Sequence, residues 1–390
     1  MGVVLVVAGL GILGLSRLAN PSGEGGVGGA STKAGRWAPM SASPLDRRIS
    51  AATEWTGTEM LVWGGRDCAA GRCDDPMVAP FSDGAAYNPT TDTWRRMSAS
   101  PLSARSGVAG AWTGRELLLW GGTDGQDRLS DGAAYDPASD TWRPLPPASI
   151  SGRTAGGTWT GEEMLVWGGT AMGSSGVVEP LTDGAAYDPA SDTWRPLAPA
   201  PLAAREDVTS EWTGREMIVW GGRAGQEYLA DGAAYDPAAD TWRPLAPAPL
   251  EGRVVRGVWS GTELLVWGGE SATVALADGA AYDPAADTWR PMAPAPLSAR
   301  RGFATVWAGE EMLVWGGAGG TGSFFFGNGA GYDPRTNSWK ELAPSFGRFI
   351  PTAHWTGREM LVWGGIVADD AAPGARGGIS ASADGARYVP

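Results

Sequence analysis

The sequence predicts an all-β protein, a seven-bladed β-propeller of four-stranded blades whose ring closes between the two ends of the chain. Three observations carry this. The phrase Trp-Gly-Gly occurs seven times, at Trp63, Trp120, Trp167, Trp220, Trp267, Trp315 and Trp363. A second phrase, close to Asp-Gly-Ala-Ala-Tyr-Asp-Pro-x-x-Asp-Thr-Trp, follows each of the first six. Its tyrosines are Tyr87, Tyr135, Tyr187, Tyr235, Tyr282 and Tyr332, and its tryptophans are Trp94, Trp142, Trp194, Trp242, Trp289 and Trp339. A third, Trp-Thr-Gly-x-Glu or a near variant, precedes each Trp-Gly-Gly at Trp55, Trp112, Trp159, Trp212, Trp259, Trp307 and Trp355. Self-similarity at a period of roughly 50 residues is the mark of a repeat architecture. Composition agrees, because long helices could not carry 60 glycines and 29 prolines in 390 residues.

Each unit reads as four short strands. Strand A is typified by Ser106–Trp112, followed by a tight Thr-Gly turn, and strand B is Glu116–Trp120, stopped by Gly121 and Gly122. Strand C is Gly132–Tyr135, after which Asp136-Pro137 supplies a side-chain acceptor and a preset φ for the next turn. Strand D starts near Trp142. These apolar runs are four or five residues long and bounded by glycine, which favours buried strands packed between neighbouring sheets.

The 21 tryptophans fall into three classes of seven once Trp37 joins the Tyr–Trp class, so each has a repeat position and reads as packing rather than as a sugar-stacking platform. Trp37-Ala38-Pro39-Met40 is a D strand with no A, B or C before it. Asp384–Pro390 is a C strand with no D after it. The C-terminal A, B and C strands are therefore expected to pair with the N-terminal D strand.

A double glycine, then a tyrosine, then a tryptophan at fixed separation resembles the kelch repeat. The resemblance covers residues 37–390 and is specific for fold. For function it implies little, since kelch propellers include binding scaffolds and a few enzymes. Kelch-fold copper oxidases need several histidine and tyrosine ligands, which a chain with one histidine does not supply. A kelch-fold sugar-modifying enzyme, epimerase- or mutarotase-like and working at the channel mouth, stays open as the alternative.

The ends and cysteines bear on location. Gly2–Leu15 is an uncharged apolar run, short for a membrane span but suited to an export signal. Residues 1–19 thus read as a signal peptide or membrane anchor, 20–36 as a Gly/Ser-rich linker and 37–390 as the propeller. Cys68 and Cys73 suit a small disulfide ring in an oxidising compartment. The expected location is extracytoplasmic, secreted or held to the membrane by the N-terminal segment alone. A formal charge of −13 argues against nucleic acid as a partner.

Many charges recur by blade. Asp83, Asp131, Asp183, Asp231, Asp278 and Asp384 precede strand C, and Glu59, Glu116, Glu163, Glu216, Glu263, Glu311 and Glu359 open strand B. A carboxylate repeated in every blade reads as a turn or strand-end device. Arginine recurs at the start of each A strand, at Arg48, Arg105, Arg153, Arg205, Arg253, Arg300 and Arg348. These seven read as partners of the aspartates before strand C and, without excluding that, as an anion-binding crown.

Function is expected where the repeat breaks. The B–C loops of blades one and seven are the longest, and closure makes those blades neighbours. Phe324, Phe325, Phe349, Asp369, Asp370 and Arg376 gather on blades six and seven, beside the Asp67/Cys68–Cys73/Asp74-Asp75 loop of blade one. They predict a surface that binds a protein or cell-surface glycan, on a monomeric propeller without a cofactor. Asp67, Asp74 and Asp75, with Asp369 and Asp370, are calcium candidates because hard cations need clustered oxygens. His354, Glu211 and Glu54 are the acid–base candidates, spread over separate blades.

Overall fold

A computed structural model describes residues 35–68, 78–173, 176–320, 325–368 and 378–390. The expected signal or anchor and nearly all of the linker lie outside the described residues. Seven antiparallel four-stranded sheets are present, ordered A-B-C-D. Blade two is representative, with strands Ala109–Trp112, Leu117–Trp120, Gly132–Asp136 and Thr141–Pro144. Each A strand lies beside the A strand of the next blade, round to blade seven against blade one. Among the described residues no helix is long and apolar enough to cross a membrane.

Strand A is shorter than the sequence reading. It starts at Ala109, because Gly107 takes a φ of 65° and breaks the extended run, leaving Ser106 in a separate bridge with Thr123. Ser50, Asp207, Gly302 and Ile350 take the same left-handed conformation two residues after their arginines. Blades three and five lack this extra residue. Strands B are buried on both faces, and so are strands C of blades one to six except at the last position; strand C of blade seven, like A and D, is only partly covered. Apolarity on both faces is therefore a property of the two middle strands.

The double glycine after strand B is needed for close approach. Gly64 sits at φ 68°, and a Cβ there would come within 2.8 Å of the carbonyl of Arg105, the arginine that links blade one to blade two. Gly65 sits at φ 88° and donates its amide to that carbonyl at 2.9 Å. A side chain at Gly64 would push the Arg105 backbone away, and one at Gly65 would strike the Ile49 carbonyl of its own blade, 2.7 Å from a Cβ.

Tryptophan fills the space between sheets. The seven strand-B tryptophans are at most 4% exposed, and each meets the strand-D tryptophan of the following blade. Ring centroids lie from 4.7 Å (Trp315–Trp37) to 6.0 Å (Trp63–Trp142) apart. Such tilted pairs add about 0.5–1.5 kcal/mol each beyond area burial. Each strand-D indole N–H also donates to a carbonyl of the connection entering its blade, as Trp142 does to Ser98 at 3.0 Å and Trp37 to Ala343 at 2.7 Å.

In blade seven the strands Thr352–Trp355, Met360–Trp363 and Gly385–Val389 are joined by Arg36–Pro39, with Trp37 opposite Tyr388 and Ala38 opposite Arg387. An arginine has moved across the ladder here. Blades one to five place alanine in strand C opposite arginine in strand D, as in Ala86 opposite Arg95, and blade six places Gly331 opposite Lys340. Arg387 donates to the Pro89 carbonyl of blade one at 2.9 Å, the kind of bond Arg290 makes to Pro334 of blade six at 3.2 Å. The guanidinium thus reaches its acceptor from the neighbouring strand.

Deleting residues 384–390 removes the partner of both Met360–Trp363 and Arg36–Pro39. The shortened chain is expected to lose its cooperative thermal transition, followed by circular dichroism. An unchanged melt would contradict the role given to this strand.

Candidate functional site

The recurrent arginines are built into the joints between blades. Arg105 has its backbone in blade one, where its amide donates to Phe81 at 3.0 Å. Its side chain lies in blade two, bonded to the Gly121 carbonyl at 3.2 Å and to Asp131 at 2.7 Å. Arg153, Arg205, Arg253 and Arg348 repeat the pattern with Asp183, Asp231, Asp278 and Asp384. Arg300 meets Asn328, and Arg48 meets Asp83. All seven are between 0 and 5% exposed. Their guanidinium groups face protein rather than solvent, so the paired reading describes them and the anion-crown expectation for Arg48, Arg105, Arg153, Arg205, Arg253, Arg300 and Arg348 gives way to it.

A second network joins the blades at the opposite end of the sheets. Arg95 of strand D holds Glu59 of its own blade bidentately, at 3.0 and 2.7 Å, and donates to the Tyr135 hydroxyl of the next blade at 2.9 Å. Tyr135 donates in turn to Asp140 at 2.6 Å. Asp140 adopts φ 53°, which a short polar side chain tolerates, and accepts the Ser98 amide. The repeated carboxylates are thus joint and turn devices.

The aromatics at blades six and seven are packed more than the sequence suggested. Phe325 and Phe349 stack with centroids 5.8 Å apart and rest on a small apolar cluster of Ile49, Cys68, Ile366 and Ala381. Arg301 covers the Phe349 ring at 5.2 Å. Both rings are half-buried, so they serve as the floor of the seam rather than as free anchors. The exposed apolar side chains there are Phe346, 86% exposed, and Ile350, 37% exposed.

Asp67 pairs with Arg47 at 3.0 Å and accepts the Cys68 amide at 2.6 Å. Cys68 is fully buried and is not a free thiol. Cys73, Asp74, Asp75, Phe324, Asp369, Asp370 and Arg376 lie outside the described residues. Among the described residues no group of three metal-ligating side chains is gathered.

On the face bearing the B–C loops, three residues joined by two short bridges in each blade surround the channel mouth, and here the repeat varies. The residues are Ser106, Thr123 and Arg128 in blade two, Glu206, Arg223 and Tyr228 in blade four, and Arg301, Ala318 and Phe325 in blade six. Arg223 bridges Glu206 and Asp207, both at 3.0 Å, and Arg301 bridges Glu270 at 2.8 Å. A belt of charge pairs therefore runs over blades four to six and ends on the stacked phenylalanines.

Inside the channel, Glu54, Glu211 and His354 each precede the last tryptophan of strand A and oppose Leu61, Ile218 and Leu361 across the ladder. They occupy one level of the ring, on blades one, four and seven. His354 Nε2 lies 3.0 Å from the Thr53 hydroxyl of blade one, which meets the Thr352 hydroxyl at 2.5 Å. The sequence reading missed Arg256 of blade five. Six blades carry Ala52, Ala109, Gly156, Thr209, Ala304 and Thr352 at that position, a contrast visible once the blades are aligned on their tryptophans. The neighbouring repeat arginine, Arg253, obscured it.

Residues 158–365, more than half of the chain, match the family model described as the KLHDC2/KLHL20/DRC7 Kelch-repeats domain. The chain belongs to the kelch-repeat family. A further match, to the Kelch motif, covers residues 104–149. Among solved structures, one titled "Structure of YjhT" is similar in fold, with 16% sequence identity and a TM-score of 0.54, covering 72% of this chain and 95% of the other. No curated protein sequence matches the chain.

The channel of this kelch propeller shifts the chemistry of its acids and base. Glu54, Glu211 and His354 touch channel solvent only in part, and the ring encloses them. Desolvation pushes the Glu54 carboxyl up to about 7. It pushes Glu211 up to about 8, opposed by a hydrogen bond from the Trp259 backbone. Desolvation, helped by the Arg256 charge, holds His354 down at about 4. Near neutral pH the level thus offers a neutral imidazole and two carboxyl groups able to carry protons.

Glu211 binds its proton more tightly in the folded chain than in the unfolded chain, where a glutamate titrates near ~4.3. Its stabilising contribution is complete below that unfolded value and is lost as the pH rises through about 8. Urea unfolding of Glu211→Gln is therefore expected to show a flatter decline between pH 5 and pH 9 than the native chain. The opposite contribution of His354 is common to both and cancels in the comparison. Parallel pH profiles would contradict the raised carboxyl.

Proposed function

We propose that this kelch protein is a non-catalytic, exported binding propeller that recognises a protein or a cell-surface glycan on its B–C loop face, at blades six, seven and one. One observation carries the reading: the repeated charges are consumed in joints between blades, and the bridges around the channel mouth are what differs from blade to blade. Phe346 and Ile350 are exposed where blades six and seven meet, next to Arg301 and the stacked Phe325 and Phe349. Exposed aromatics beside arginine are the usual anchors of protein interfaces.

A second reading, a sugar-modifying enzyme working in the channel, is favoured by Glu54 and Glu211, whose raised carboxyls suit proton transfer near neutral pH. Turnover of a sugar that is abolished by Glu211→Gln or His354→Ala would support it over the binding module.

Binding is tested on a glycan array and by capture from an envelope extract. Two variants serve as controls: Phe346→Ala, and a swap of loops 66–82 and 366–383 for the short blade-two loop. Both are expected to lower binding at least tenfold with the cooperative melt retained. Undiminished binding by both folded variants would refute this surface.

A further inference from the structure

Arg256 is the cation the repeat does not explain. Among the described residues it makes no ion pair and no hydrogen bond, although Asp207 lies within electrostatic reach. Asp207 is already held by Arg223. Arg256 lines a cavity of about 70 Å³ whose other walls include Ser50, Thr53, Ile350 and Thr352. Blade five thus contributes a guanidinium to a cavity otherwise built at the joint of blades seven and one.

We propose that this cavity binds a small monocarboxylate, with Arg256 as its anchor. A guanidinium presents a fixed fork of donors that matches a carboxylate bidentately, and this fork has no protein acceptor. The hydroxyls add a donor. If His354 Nε2–H donates to Thr53, and Thr53 donates to Thr352, then the Thr352 O–H is left over for the cavity that Thr352 lines. The pocket opens onto the channel, where Arg256 is exposed, so it admits the carboxylate of a small anion. A dianion is disfavoured, because Arg48, which also lines the cavity, is already held by Gly64 and Asp83, and the chain carries a charge of −13. Burial raises Glu54 to about 7 and Glu211 to about 8, which reduces the negative charge they set against Arg256 near neutral pH. Ile350 belongs both to this cavity and to the proposed loop face, whereas the anchor Arg256 belongs to the cavity alone, and neither reading depends on the other.

His354 is the only histidine in the chain, so its imidazole gives a single reporter signal beside the cavity. The full chain is titrated with acetate at pH 7 and constant ionic strength while that signal is followed by NMR. Saturable displacement by acetate is expected, with no response to the neutral isostere acetamide. Half-saturation should weaken at least tenfold in Arg256→Gln and less in Arg256→Lys. A signal that ignores acetate, that responds equally to acetamide, or that responds equally in Arg256→Gln would overturn the proposal. Tighter binding of phosphate than of acetate would overturn its restriction to a monocarboxylate.

Discussion

The structure depends on one buried joint repeated seven times: an arginine whose backbone belongs to one blade and whose side chain belongs to the next. Sheets in a ring share no backbone ladder, so something else must set their spacing and rotation. The arginine does this by taking the carbonyl of a glycine that closes strand B and the side chain before strand C. The double glycine exists to let that backbone approach, and the strand-B tryptophan fills the wedge that the approach leaves. Each repeated residue is thus explained by another repeated residue.

The same dependence explains how much was legible. The blade count, the strand order and the pairing of Trp37 with Tyr388 follow from spacing, because a repeat reports its packing constraints many times over. The pairing of Arg105 with Asp131 was one of two open readings, since sequence places both groups at one edge but does not give their burial. Strand A was read too long because the extra residue at Gly107 is glycine only in some blades; Ser50, Asp207 and Ile350 take its conformation without advertising it. Phe325 and Phe349 were read as exposed because nothing local reveals that Cys68, Ile366 and Ala381 lie beneath them.

Arg256 shows the converse limit. A residue that occurs once has no repeat to explain it, and it becomes conspicuous only when the blades are aligned by their tryptophans. The exchange of Ala38 and Arg387 at the last joint is a different kind of singularity, because there a repeated function is kept by a moved residue. Arg387 reaches Pro89 of the next blade, whereas Arg256 meets no protein acceptor among the described residues. Breaks in the repeat are therefore of two kinds, and the presence of a protein partner separates them.

The central claim is that position in the repeat, rather than residue type, decides what an arginine does in this fold. It is tested most directly by comparing urea unfolding of Arg205→Ala and Arg256→Ala. Arg205→Ala leaves a carboxylate and a glycine carbonyl without their donor and is expected to cost about 3 kcal/mol. Arg256→Ala removes an unpaired charge from the channel and is expected to leave stability unchanged or slightly raised. Equal losses in the two variants would contradict the account.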